Sequence, residues 1–150
     1  MAKAYNVSVF FEKPDQPIIV TFDEQKLGIA ISNLIDNALK YNVPKGSVTV
    51  NLRLVLNQPY AEVSIKDTGV GIPPEDIKKL FTKFFRAENV MQFETEGSGL
   101  GLFVVKNIIE RHGGKIWVES ELNRGTTFHF TLPTDARLIP QKEAITEDED

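Results

Sequence analysis

The stretch Asp67-Thr68-Gly69-Val70-Gly71-Ile72-Pro73-Pro74 combines residue types and spacing suited to binding a polar heterocycle. An ionised aspartate only accepts hydrogen bonds. This one closes an alternating run, Ala61, Val63 and Ile65 against Glu62, Ser64 and Lys66, with the two-residue period of a half-buried strand. Gly69 and Gly71 lack the Cβ that would hold a flat ligand off the backbone. Such a loop can take an amine-bearing heterocycle such as adenine. A second glycine-rich segment, Gly97-Ser98-Gly99-Leu100-Gly101-Leu102, precedes a helical pattern and offers backbone N–H groups and a helix dipole to an anion. No G-x-x-x-x-G-K-[ST] loop occurs, and the third glycine comes one position early for a dinucleotide fingerprint. Taken singly, these features have plain alternatives: a tight turn with an N-capping Asp, and a flexible connection. Two amides four residues apart, Asn33 and Asn37, and the cation Lys40 add a third element. Mg²⁺ commonly takes only one or two protein oxygens and fills its octahedron with phosphate and water, so one Asn oxygen suffices.

The elements that position these groups follow from periodicity. Asp23 is a suitable N-cap for a helix running to about Lys40, with Leu27, Ile31, Leu34, Ile35 and Ala38 on the core face and Gln25, Ser32 and Asp36 toward water. Asn33, Asn37, Lys40 and Tyr41 form a stripe at the border between those faces, where mid-helix asparagines cost helix stability but suit a cleft wall. Residues 6–11 and 17–21 are expected as two strands around a turn. Residues 47–56 and 60–66 form a hairpin expectation, and 115–121 with 126–132 another. Pro74, Glu75 and Asp76 open a short helix carrying Ile77, Leu80, Phe81, Phe84 and Phe85. The helix after Leu102 is expected to turn Val104, Val105, Ile108 and Ile109 inward. It should close at His112-Gly113-Gly114, with Gly113 left-handed and His112 at the negative end of the dipole.

At 150 residues with 41% hydrophobic and 25% charged side chains, the chain fits one globular domain. No apolar run approaches the roughly 18 residues of a membrane span, and no signal-peptide pattern begins it. The lack of cysteine fits a reducing cytoplasm, and two distant histidines make a His-based zinc site a poor expectation. After Pro133 there are six acids and two bases, so the whole net charge of -4 belongs to that tail. A balanced body with an acidic tail is a poor nucleic-acid binder. Residues 1–133 are expected as the domain and 134–150 as a disordered tail or linker.

Several segments together resemble the sensor histidine kinases. Asn33-Leu-Ile-Asp-Asn37-Ala-Leu-Lys40-Tyr41 resembles their N box, and Asp67-Thr-Gly-Val-Gly-Ile-Pro73 their G1 box. Leu80-Phe81-Thr-Lys-Phe84-Phe85-Arg86 resembles the F box, Gly97-Ser-Gly-Leu-Gly-Leu102 the G2 box, and His112-Gly-Gly through Gly125-Thr-Thr127 the closing segment. The resemblance covers about residues 20 to 133, within a superfamily that also holds gyrase, a heat-shock chaperone and mismatch-repair ATPases. It implies a two-layer α/β sandwich: a mixed, mainly antiparallel sheet of about five strands against three helices, with an ATP lid.

For the site, the resemblance implies that Asp67 accepts from the adenine amine, helped by Thr127 through water, with Gly69, Gly71 and Ile72 in the base loop. Asn37 ligates Mg²⁺ beside Asn33, Lys40 meets phosphate and Tyr41 packs on adenine. Gly97, Ser98, Gly99, Leu100, Gly101 and Leu102 bind phosphates, and Arg86 reaches the γ-phosphate; Asn37, Lys40 and Arg86 are the catalytic set. The implied partners are ATP, a histidine-bearing dimerisation domain of the same full-length kinase, and a response regulator downstream. No nucleic acid or membrane contact by this domain is implied, and its place is the cytoplasm, with a parent that can be anchored in the inner membrane. Neither His112 nor His129 suits the family's phosphoacceptor. The alternative is a nucleotide-driven clamp or ATPase of the gyrase or chaperone type. That type needs a general-base Glu one turn before the metal-binding Asn, where this chain has Asn33, a poor base. Anti-sigma serine kinases rank third for want of a matching F box, and a non-catalytic nucleotide sensor is a further alternative.

Overall fold

The structure, a computed structural model, describes residues 6–83, 85 and 101–141. Five strands form one sheet: β1 (Ser8–Glu12), β2 (Ser47–Leu54), β3 (Tyr60–Asp67), β4 (Ile116–Glu121) and β5 (Gly125–Pro133), in the order β1-β2-β3-β5-β4. Among the described strands only β1 and β2 run parallel; the other pairs are antiparallel. Helices α1 (Glu24–Lys40), α2 (Pro74–Ile77) and α3 (Gly101–Arg111) complete the described α-helices. The result is the expected α/β sandwich with a mixed, mainly antiparallel sheet. No helix of the described residues is long and apolar enough to cross a membrane.

Side-chain parity builds the core. On β3, Ala61 and Ile65 are buried, and on β5 Thr126, Phe128, Phe130 and Leu132 are buried in strict alternation. Against them α1 places Leu27, Ala30, Leu34, Ala38 and Leu39, and α3 places Val105, Ile108 and Ile109. Asp23 caps α1 as expected, its side chain accepting from the Lys26 N–H at 3.0 Å.

Several local expectations need correction. Residues 17–21 are not a strand: Pro17 lacks an N–H for a ladder, and Ile19 is 83% exposed. The helix at Pro74 stops at Ile77. From there Lys79, Leu80 and Thr82 donate to carbonyls three residues back, and the Thr82 hydroxyl bonds the Lys79 carbonyl, so the chain tightens into turns. Those turns let Leu80, Phe81 and Phe85 all reach the core, which one short helical face cannot do; Phe81 meets Phe128 edge-on at 6.2 Å. Phe84 lies outside the described residues. Val104 is exposed, because the buried line of α3 runs through Val105, Ile108 and Ile109. Gly113 does take the left-handed conformation, at φ +85°. His112, however, is buried and bonded at both ring nitrogens. Its Nε2 accepts from the Asp23 N–H at 3.0 Å, and its Nδ1 donates to the Ile108 carbonyl at 2.8 Å. That is the bonding of the neutral ring, so His112 ties α3 to the start of α1 rather than answering a dipole with charge. Past β5, a 3-10 turn at Ala136–Leu138, capped by Asp135, brings the Leu138 carbonyl against Gly113. Residues 134–139 thus belong to the folded unit, and 142–150 lie outside the described residues.

Candidate functional site

Strand parity turns Asp67, the last residue of β3, toward the helices, where it is 8% exposed. Its Oδ1 accepts from the Gly69 N–H at 2.8 Å and from the Thr126 N–H at 3.2 Å. Among the described residues both bonds fall on this one oxygen, so Oδ2 keeps its lone pairs for a ligand donor. Burial pushes the carboxyl up to about 6, and the two backbone donors work against that rise without cancelling it. A buried carboxylate with an uncommitted oxygen is suited to accept from a neutral amine.

The loop after Asp67 is held by backbone. Val70 donates to the Tyr41 carbonyl at 3.0 Å and accepts from the Asn123 N–H at 2.8 Å; Ile72 donates to Ser120 Oγ at 2.8 Å. The two loop glycines are needed for this closeness, not for room beside a ligand. A Cβ on Gly69 would stand 2.2 Å from the Tyr41 carbonyl oxygen, and one on Gly71, at φ +75°, would stand 2.2 Å from that of Glu121. On the other side, Asn42 Oδ1 accepts from the Thr68 hydroxyl at 2.9 Å, while its Nδ2 donates to the Ser47 carbonyl at 2.9 Å. The end of α1 and the end of β3 are thereby fastened together.

Along α1, Asn33, Asn37, Lys40 and Tyr41 are all half-buried, at the border expected of them. Among the described residues no side-chain hydrogen bond occupies the Asn33 or Asn37 amide. Lys40 pairs with Asp36 at 3.0 Å, one helical turn earlier. The start of α3 faces this stripe: a Cβ on Gly101 would lie 3.8 Å from Asn33 Oδ1. Asn33 also lines an open groove along α1 with Gln25, Gly28, Ile29 and Ser32. Among the described residues no group of three or more His, Cys, Asp or Glu side chains could hold a metal. A divalent ion here would rest on amide oxygen and phosphate.

The structure thus sets Gly101 beside Asn33 on α1, and Gly69, next to Asp67 at the end of β3, against Tyr41 at the end of α1, with Gly71 and Ile72 held in the same loop against Glu121 and Ser120. Leu102 packs against the core from the first turn of α3. Arg86, Gly97, Ser98, Gly99 and Leu100 lie outside the described residues. Thr127 is placed elsewhere: it pairs with Lys66 and shares the outer sheet face with His129, whereas Thr126 is buried on the Asp67 side and supplies the N–H bond. The signal for Thr126 was its parity with Phe128 and Phe130. Ser120 and Asn42 carried no local signal, since the partners that tie them to the Asp67 loop, Ile72 and Thr68, stand 48 and 26 residues away.

Residues 22–136 match the family described as histidine kinase-, DNA gyrase B-, and HSP90-like ATPase. The chain is 37% identical over 133 residues to the sensor histidine kinase WalK of Bacillus subtilis, covering 89% of this chain and 22% of WalK. It is 39% identical over 118 residues to the adaptive-response sensory kinase SasA of Synechococcus elongatus, covering 79% of this chain and 30% of SasA. It therefore spans less than a third of the length of these relatives. Among solved structures, the mycobacterial sensor histidine kinase MprB superposes with a TM-score of 0.75 at 33% identity, covering 88% of this chain and 87% of that one. Full-length ShkA in complex with AMPPNP gives 0.70 at 27% identity, over 88% of this chain and 26% of that one. With family match, sequence identity and superposition in agreement, the chain belongs to the histidine kinase-, DNA gyrase B- and HSP90-like ATPase family, as a catalytic, ATP-binding domain of the sensor histidine kinase kind.

Proposed function

We propose that this domain binds Mg-ATP base-first and, within its full-length protein, passes the γ-phosphoryl group to a histidine on a separate dimerisation domain, with a response regulator downstream. The observation that carries the reading is the buried Asp67 carboxylate, whose Oδ1 is occupied by two backbone N–H groups while Oδ2 is left to accept from the adenine amine. Thr126 stands beside it as the second contact to the base. Tyr41 borders the pocket, and Asn37, beside Asn33, offers an amide oxygen of the kind a hard cation accepts. Mg²⁺ bound there would neutralise phosphate charge. Lys40 and the start of α3 at Gly101 and Leu102 stand on the phosphate side. By the motifs they belong to, Gly97 to Leu100 are assigned to the phosphates and Arg86 to the γ-phosphate. Phosphoryl transfer asks the protein for alignment and charge neutralisation more than covalent chemistry.

The chain's own histidines serve structure. His112 is bonded at both ring nitrogens, and His129 is wedged between Glu62 and Glu119 at 2.9 and 2.6 Å and stacked on Trp117. The complex of the relative ThkA with the response regulator protein TrrA, matched at a TM-score of 0.70 and 27% identity, supports the same placing of partners. The domain works in the cytoplasm, where ATP is supplied. An ATP-hydrolysing clamp is disfavoured by Asn33, an amide where that chemistry needs a carboxylate base.

Calorimetry with ATP, with and without Mg²⁺, should show Mg²⁺-dependent affinity. Adding a separately made histidine-bearing helical domain should then yield acid-labile phosphate on that domain. Asn37→Ala should keep base binding but lose the Mg²⁺ dependence and the transfer. Release of inorganic phosphate with none on the added domain would overturn the kinase reading in favour of the clamp.

A further inference from the structure

The β4–β5 hairpin carries a pair of hydroxyls in direct contact, Ser120 and Thr126. Ser120 lies on the inward side of β4, directly opposite Thr126 on β5. Its Oγ meets three groups: the Ile72 N–H at 2.8 Å, the Gly125 carbonyl at 3.0 Å and Thr126 Oγ1 at 2.8 Å. A serine hydroxyl has one proton and two lone pairs. One lone pair is taken by the Ile72 N–H, so the single proton goes either to the Gly125 carbonyl or to Thr126 Oγ1. In the first case Thr126 must donate to Ser120 and shows the pocket only lone pairs. In the second, Thr126 Oγ1 accepts from Ser120 and its own proton is free to point into the pocket.

The two purine edges demand opposite patterns. Adenine presents an amine donor beside a ring-nitrogen acceptor, whereas guanine presents a carbonyl acceptor beside a ring N–H donor. Asp67 Oδ2 supplies the acceptor that adenine's amine requires, and the neighbouring ring nitrogen then requires a donor. Thr126 supplies one, directly or through a water, only when Ser120 donates to it. We propose that Ser120 is a positioning residue that sets adenine-over-guanine selectivity, by holding the Ile72 turn in place and by turning the Thr126 hydroxyl proton toward the base. The inference rests on the reading of this cleft as an ATP site and adds to it the origin of its base selectivity. A site built to hydrogen-bond a ligand rejects the mismatched analogue strongly, because its own polar groups are left unpaired.

The test is titration of the whole chain with ATP and GTP in the presence of Mg²⁺, for the wild type, Ser120→Ala, Ser120→Thr and Thr126→Val. Ser120→Ala should weaken ATP binding about tenfold while changing GTP binding by less than about threefold, so that discrimination narrows. Ser120→Thr keeps the hydroxyl and should restore discrimination, a rescue that a purely structural role for the side-chain volume would not produce. Thr126→Val should narrow discrimination to a similar extent. The double variant should show little further loss, since both act through one contact. If Ser120→Ala fails to fold, Thr126→Val and Ser120→Thr carry the test. Equal loss of ATP and GTP affinity in Ser120→Ala, or unchanged discrimination in Thr126→Val, would overturn the proposal while leaving the ATP site intact. A wild-type chain that bound neither nucleotide would instead overturn the reading beneath it, and the proposal with it.

Discussion

At the end of β3, proposed to take the base, Asp67 Oδ1, both backbone groups of Val70 and the Ile72 N–H are each engaged, several by partners far along the chain. At the end proposed for the phosphates, Asn33 and Asn37 stand on a single helix with no side-chain hydrogen bond among the described residues. The first region is built by tertiary contact, the second by helical spacing. The difference has a physical sense. A rigid heterocycle is best met by groups already fixed in place, because affinity then loses little to ordering. Phosphates need donors, and a hydrated cation acceptor oxygens, that are left uncommitted.

Asp67→Asn breaks the comparison most sharply. The Gly69 and Thr126 N–H groups hold an acceptor at Oδ1, so the variant's amide nitrogen is forced into the place of Oδ2, facing the adenine amine donor to donor. Affinity for a fluorescent ATP analogue should fall by about 100-fold, the scale of a lost charge-assisted hydrogen bond plus an unpaired group. Near-normal affinity would show that the base end is not organised around this carboxylate.

The same substitution should raise stability near neutral pH, which sets recognition against folding. In the folded chain Asp67 keeps its proton up to about pH 6, whereas an ordinary, solvated aspartate such as that of the unfolded chain loses it near 3.8. Between those values the folded state binds more protons, so wild-type stability falls as pH rises through the window and is flat above it. The shift corresponds to roughly 3 kcal/mol as an upper bound. Because an amide accepts the two backbone bonds less well than a carboxylate, the expected gain of Asp67→Asn over wild type at pH 7 is about 1–2 kcal/mol. Urea unfolding at pH 4 and pH 7 checks it: the difference in favour of the variant should grow between the two. A constant difference would mean that burial does not hold the proton.

The smallest effect belongs to the phosphate end. Asp36→Ala removes the i,i+4 partner of Lys40, in a pair whose side chains are each about a third exposed or less. Thermal unfolding should change by no more than about 0.5 kcal/mol, the usual worth of such a pair. A loss several times larger would mean that this end too is locked by tertiary contact.

The two ends also differ in how far local sequence revealed them. The N-box stripe was legible because helical spacing alone puts Asn33, Asn37 and Lys40 on one border, and Asp23 announced where the helix begins. Asp67 was legible as the last inward residue of an alternating strand. The purpose of Gly69 and Gly71 was not, since the carbonyls of Tyr41 and Glu121 that occupy the space of a Cβ come from separate segments. Thr126, not Thr127, stands on the Asp67 side, as its parity with Phe128 on an alternating strand requires. The strand expected at 17–21 failed because propensity without a neighbour to pair with makes no ladder.

The sequence by itself determined which elements form, which faces they bury and which polar residues stand at the border, because those depend on periods of two and 3.6 within one segment. Only the tertiary structure decided that Ser120 would meet Ile72, that Thr126 would meet Asp67 and that His112 would meet Asp23, pairs separated by 48, 59 and 89 residues. A hydrogen bond needs its two atoms within about 3 Å and in line, and no local pattern in the chain records which distant atom will arrive there.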